Sequence, residues 1–250
     1  MYKSRKKQKT GCVPAQRDTF LHNCIRSKMR DIESNFQVLI ECYPDSVHSY
    51  DDNGFLPLHL ACIYYPQNVK IIENLVKAYK DGIYFASKCI KKGNVRKEKT
   101  ASLQKENRFK QLYPIHIALK NNATLDVLRI LSNNDNTLLQ KQDKNGKTAL
   151  SIAIQYQVKT DIINWILATD CTISKIPDLR LNLPIHVACK YGCDEDIVET
   201  LLLSNESDIN LKNRDGENPL DIAFKSSKCS DEVTEALKNI ERKVCNVLDV

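Results

Sequence analysis

The chain has 250 residues, 37 Lys and Arg against 31 Asp and Glu for a formal charge of +6, and 42% apolar residues. That composition supplies a substantial core for one or two domains, but 7 glycines are too few for Gly-rich phosphate loops or a turn-dense β architecture. No window reaches the ~18 consecutive apolar residues of a membrane span. The start MYKSRKKQKT lacks the apolar run of a secretory signal, and ten dispersed cysteines do not form a short disulfide scaffold. The expectation is a soluble, intracellular, helix-rich chain with reduced thiols, cytoplasmic or nuclear.

In chain order, residues 1–17 come first, with six basic residues and no acid. This tail is expected to be disordered, and serves as a nuclear-localisation address, a phosphate contact or a solvating terminus. Thereafter six strings share one pattern: TFLHNC from Thr19, LPLHLA from Leu56, YPIHIA from Tyr113, TALSIA from Thr148, LPIHVA from Leu183 and NPLDIA from Asn218. Their starts lie 37, 57, 35, 35 and 35 residues apart. Most are followed by an apolar set at i, i+1, i+4, i+5, as in Ile71, Ile72, Leu75 and Val76, which lies on one helix face. Pro57, Pro114, Pro184 and Pro219 suit the first position of a helix, where a missing N–H costs nothing. Turn signals precede several strings: Asp52-Asn53-Gly54, Lys144-Asn145-Gly146 and Arg214-Asp215-Gly216.

These features predict units of turn, short helix, loop and second helix near 18–50, 51–79, 113–142, 143–177, 178–212 and 213–242, with a C-terminal tail at 243–250. One such pair cannot bury its apolar face, whereas a stack can. The 57-residue spacing places a basic insertion at 80–112, with a short helix expected around 101–109. Residues 88–110 alone carry nine basic residues and two acids, a net of +7. Since the tail holds +6, the rest of the chain is left at −7.

The six strings resemble the ankyrin-repeat signature T-P-L-H-x-A, whose period is about 33. The resemblance implies an all-α solenoid of about six helix-turn-helix units with finger loops, covering roughly 18–242. The signature His is kept at positions 22, 59, 116 and 186 but is Ser151 and Asp221 in the other two strings. In this family the Thr–His pair helps fix the turn, so some of that bonding is expected to be absent or replaced.

The resemblance also implies a partner lying against the finger tips and the exposed side of the first helices. Residues just past the small Ala positions fall there: Arg26, Tyr64, Lys120, Asn121, Gln155, Tyr156, Lys190, Tyr191 and Lys225. Tyr and Arg are frequent interface anchors. Finger residues Asp52, Asn53, Lys144, Asn145, Arg214 and Asp215 are weaker candidates, because turn chemistry alone selects many of them. Trp165 is expected to pack against a neighbouring unit.

No G-x-S-x-G, Walker-type or H-E-x-x-H string occurs. His59/Cys62 and His186/Cys189 have short ligand-like spacings, but the repeat register accounts for both pairs. The sequence therefore reads as a monomeric, non-catalytic protein-binding module with an unidentified protein partner, no cofactor and no metal. The alternative is a nuclear regulator whose tail and insertion contact nucleic acid while the repeats hold a protein.

Overall fold

The computed structural model describes residues 20–28, 32–88, 111–204 and 206–248. The basic tail, residues 89–110 of the insertion and the helix expected over 101–109 lie outside them. Among the described residues there are fourteen α-helices and no strand.

The inner helix of each unit is α1 (Phe20–Ser27), α4 (Pro57–Tyr64), α6 (Pro114–Lys120), α9 (Ala149–Gln155), α11 (Pro184–Tyr191) and α13 (Pro219–Lys225). Four of them start on the prolines singled out above. The outer helices are α2 (Ile32–Cys42), α5 (Val69–Ala78), α7 (Leu125–Ser132), α10 (Thr160–Thr169), α12 (Glu195–Ser204) and α14 (Asp231–Leu248). Inner helices pack in sequence, α1 on α4 and onward to α13, and each outer helix packs on the inner helix of its own unit. Asn68 and Thr124 cap α5 and α7 by accepting from Ile71 N–H and Val127 N–H. Residues 243–248, expected as a tail, instead continue α14, whose apolar positions keep the helical spacing.

The apolar sets fill one continuous core. Ile71, Ile72, Leu75, Ile162, Ile163, Ile166, Val198 and Leu201 are all buried. Each of the first five units also holds a third, short helical segment that periodicity did not predict: α3 (Pro44–His48), Lys80–Tyr84, α8 (Thr137–Gln140), Cys171–Lys175 and Glu206–Asn210. Each buries apolar side chains against the stack: Val47, Ile83, Leu138 with Leu139, Ile173 and Ile209.

The fingers are built from Asx turns. One carboxylate or amide oxygen accepts two backbone N–H groups, two and four residues on. Asp51 serves Asn53 and Phe55, Asp143 serves Asn145 and Lys147, Asp178 serves Arg180 and Asn182, and Asn213 serves Asp215 and Glu217. The fourth finger position is left-handed throughout, at Gly54, Gln111, Gly146, Leu181 and Gly216. In the third unit Ser87 and Gln111 take the Asp and Gly places, because Gln111 N–H donates to the Ser87 carbonyl and Leu112 N–H to Ser87 Oγ. Residues 80–88 and 111–112 are thus repeat rather than insertion, which narrows the insertion from 80–112 to the segment 89–110 at the finger tip.

Neighbouring fingers are joined through the backbone. Leu179 N–H donates to the Asn145 carbonyl at 3.0 Å, and Arg214 N–H to the Arg180 carbonyl at 2.8 Å. A Cβ added at Gly146 would stand 2.6 Å from Leu179 N, whereas one at Gly216, with nearly the same φ, would meet nothing within 4 Å. Gly216→Ala should therefore cost about 1 kcal/mol from left-handed strain alone, and Gly146→Ala about 2 kcal/mol or more. Urea midpoints of the two variants test this; equal shifts would contradict it.

Candidate functional site: the inner-helix and finger face

The histidines hold this face in register. Leu56 N–H donates to His59 Nδ1 at 3.1 Å, so Nε2 carries the proton and donates to the Phe85 carbonyl at 2.9 Å. His186 repeats the arrangement with Leu183 N–H and the Leu211 carbonyl, at 3.1 and 3.0 Å. Where the signature changes, the bonding changes with it. Thr148 accepts from Ser151 N–H in the fourth unit, and Asn218 and Asp221 exchange reciprocal cap bonds in the sixth. His116 is the exception: both its ring nitrogens are buried without a hydrogen-bond partner. The Lys141 carbonyl, in register with Phe85 and Leu211, lies near the ring without completing a bond.

Both nitrogens of His59 and of His186 are thus occupied by backbone groups. Burial pushes the Cys62 and Cys189 thiols well above the usual range, and Cys193 up to about 11. Among the described residues no group of three His, Cys, Asp or Glu is placed to hold a metal ion. Nor, among them, is any helix long and apolar enough to cross a membrane.

The nine residues singled out from the sequence fall into two sets. Four are engaged within the protein. Arg26 pairs with the buried turn carboxylate Asp51 of the next finger, leaving its side chain 18% exposed. Lys120, 12% exposed, stands 4.0 Å from Asp143 in the equivalent place. Burial pulls Lys120 below the usual lysine range, and Asp143 opposes that pull. Asn121 Nδ2 donates to the Ile117 carbonyl at 2.8 Å, and Gln155 accepts from Lys147 Nζ at 2.5 Å. The inner-helix cations therefore clamp one unit to the next finger, a role that composition did not suggest.

The other five present surface. Tyr64 and Tyr191 are half-buried, packed against the core. Tyr156 is 44% exposed, with Lys120 Nζ 5.6 Å from its ring centre. Lys190 is exposed, and Lys225 is exposed while bonded to Glu217 at 2.6 Å. Two open grooves of about 380 and 340 Å³ bring some of these together. The first runs from Asn145 past Lys190 and Tyr191, and the second from Arg180 past Lys190 to Lys225 and Lys228. Arg26, Tyr64, Lys120, Asn121, Gln155 and Tyr156 line neither groove.

Trp165, on the outer helix α10, is half-buried against the core. Lys147, Leu179, Arg180 and Lys228 line the grooves and were not selected from the sequence. Leu179 did carry a signal there, an apolar residue where other fingers hold Asp, Lys or Arg. Of the basic segments behind the nucleic-acid alternative, Lys88 is described and stands 3.7 Å from the Tyr50 ring centre. Residues 1–17 and 89–110 lie outside the described residues.

Six stacked helix pairs with Asx-turn fingers and a bridging His are thus the geometry. A family model for ankyrin repeats (many copies) matches residues 175–223, spanning the fifth unit and the start of the sixth. This match supports an ankyrin-repeat family. A similar relative is the ankyrin repeat protein FPV245 of Fowlpox virus (strain NVSL), 39% identical over 56 residues. That match covers 22% of this chain and 13% of the viral protein's length. Ankyrin repeats generally mediate protein–protein interaction.

Proposed function

We propose that the chain is a non-catalytic scaffold or adaptor that holds a protein partner along a concave face formed by its inner helices and fingers. The observation that supports this most is the pair of open grooves that share Arg180, Asn182 and Lys190, one also lined by Tyr191 and the other by Lys225. The groove floor is inner helix and its wall is hydrogen-bonded finger, so the surface exists before a partner arrives. Little ordering entropy is then lost on binding. Grooves that stay open along the units suit an extended polypeptide better than a small molecule, which is held in a cleft that buries most of its surface.

The test is quantitative affinity capture with the full chain and with Tyr64→Ala/Tyr156→Ala/Tyr191→Ala. All three rings lie at inner-helix ends, with Tyr156 the most exposed. Protein partners should fall about tenfold or more in recovery with the triple variant, while thermal unfolding shows that it still folds. Full recovery on a folded triple variant would place the partner elsewhere.

A further inference from the structure

The finger of the fifth unit departs from its neighbours. Three fingers present Asp52-Asn53-Gly54, Lys144-Asn145-Gly146 and Arg214-Asp215-Gly216, whereas this one presents Leu179-Arg180-Leu181. Both leucines are exposed, Leu179 by 60% and Leu181 by 50%. Leu181 also adopts φ +59°, in the place where glycine takes +77° to +86° in the other three. A left-handed leucine is strained relative to glycine. An apolar side chain left in water at a turn tip gains nothing from the core. Folding alone therefore favours a different sequence here, and strain kept at a surface position points to something that the finger contacts.

The charge around the leucines narrows what that is. Together the two grooves are lined by five cationic side chains (Lys147, Arg180, Lys190, Lys225 and Lys228) against three carboxylates. Those carboxylates are engaged: Asp178 in its own turn, Asp215 at 3.8 Å from Arg180, and Glu217 at 2.6 Å from Lys225. Among the described residues Lys190 and Lys228 pair with no carboxylate; Lys228 lies 5.7 Å from the Tyr191 ring centre. Leu179 lines the same groove as Lys190 and Tyr191. The face is thus an apolar tip beside a cationic channel, inside a repeat body that is acidic overall.

Building on the concave-face reading, we propose that this finger and groove bind an extended acidic segment of a partner protein. A large apolar side chain of that segment sits beside Leu179 and Leu181, and its carboxylates lie over Lys190 and Lys228. The stack supplies rigidity, the leucines an anchor and the lysines charge complementarity.

Selection of displayed random dodecapeptides on the full chain tests this, with the enriched peptides then titrated by fluorescence anisotropy. The expected consensus is net negative with one large apolar residue. Lys190→Glu should weaken its binding about tenfold, and so should Leu179→Lys/Leu181→Gly. The double variant restores the turn pattern of the neighbouring fingers and adds positive charge, so its loss isolates the apolar contact. Leu181→Gly alone should unfold at the same or a higher urea concentration than the parent. No binder, a consensus without net negative charge, or affinity unchanged in these variants would each overturn the proposal. Peptides that the Tyr64/Tyr156/Tyr191 triple variant releases but the finger variants retain would overturn it while leaving the concave face as the binding site. Peptides insensitive to all the variants would count against both.

Discussion

Lowering the pH from 7 to 5 should remove about 4 kcal/mol of stability, through two imidazoles that the fold keeps neutral. Burial drives His59 and His116 down to about 4, against 6.5 for a free imidazole. The unfolded chain takes up these protons as the pH falls through 6.5, while the folded chain takes them up only near 4. The stabilisation is therefore complete above 6.5 and is lost progressively between 6.5 and 4, at about 1.4 kcal/mol per pH unit for each group. His186 is lowered by burial as well and acts in the same direction. Carboxylates held low by hydrogen bonds, such as Asp135 under the Thr137 and Tyr84 hydroxyls, contribute only at lower pH.

Urea unfolding at pH 7, 6, 5.5 and 5 reads this slope directly. His116→Leu provides an internal check, because it removes one titrating group at a position where no hydrogen bond is lost. The slope below pH 6.5 should fall by a third to a half, and stability at pH 7 should change far less than in His59→Leu, which leaves Leu56 N–H and the Phe85 carbonyl unpaired. A parent protein equally stable at pH 7 and pH 5 would show that these histidines are not held neutral.

Ile152→Ala should be the most damaging single truncation among the central repeats. Ile152 is fully buried in α9, which packs against α6 on one side, α11 on the other and its own partner α10. Deleting its side chain should cost about 2–5 kcal/mol. In a stack whose stability is a sum of unit and nearest-neighbour terms, that loss falls on two interfaces at once. The expected result is a split unfolding curve. Trp165, the single tryptophan, sits in this fourth unit and reports locally, whereas far-UV circular dichroism reports on the whole stack. The two probes should coincide in the parent and separate in the variant. Leu220→Ala, near the end of the stack and 8% exposed, should fray one unit and leave the Trp165 transition in place. Coincident probes in Ile152→Ala would contradict this nearest-neighbour description.

The repeat was legible because its strings carry register. Pro57, Pro114, Pro184 and Pro219 mark helix starts, and the apolar quartets mark outer helices without reference to anything distant. The third helical segment was not legible, because it contributes only one or two buried apolar residues to a unit, such as Ile83 or Ile209, too few to set a period. Two of the cations expected on the face are engaged within the stack. Arg26 and Lys120 stand where a partner was expected to find them, yet each is turned to an Asx-turn carboxylate 25 or 23 residues ahead, on the next finger. Such pairing depends on how units stack, which no single unit records. Leu179 and Leu181 could be recognised only as departures from the pattern of the other fingers, and their exposure is what distinguishes them from a degenerate turn.

Site-specific photocrosslinking tests the central claim most directly. A benzophenone amino acid would replace Tyr156 on the inner-helix face in one variant and Asn164, exposed on the outer helix α10, in another. Irradiated in cells that express the full chain, the Tyr156 variant should yield a discrete protein adduct and the Asn164 variant none. Adducts from position 164 alone, or from neither position, would contradict a partner held along the concave face.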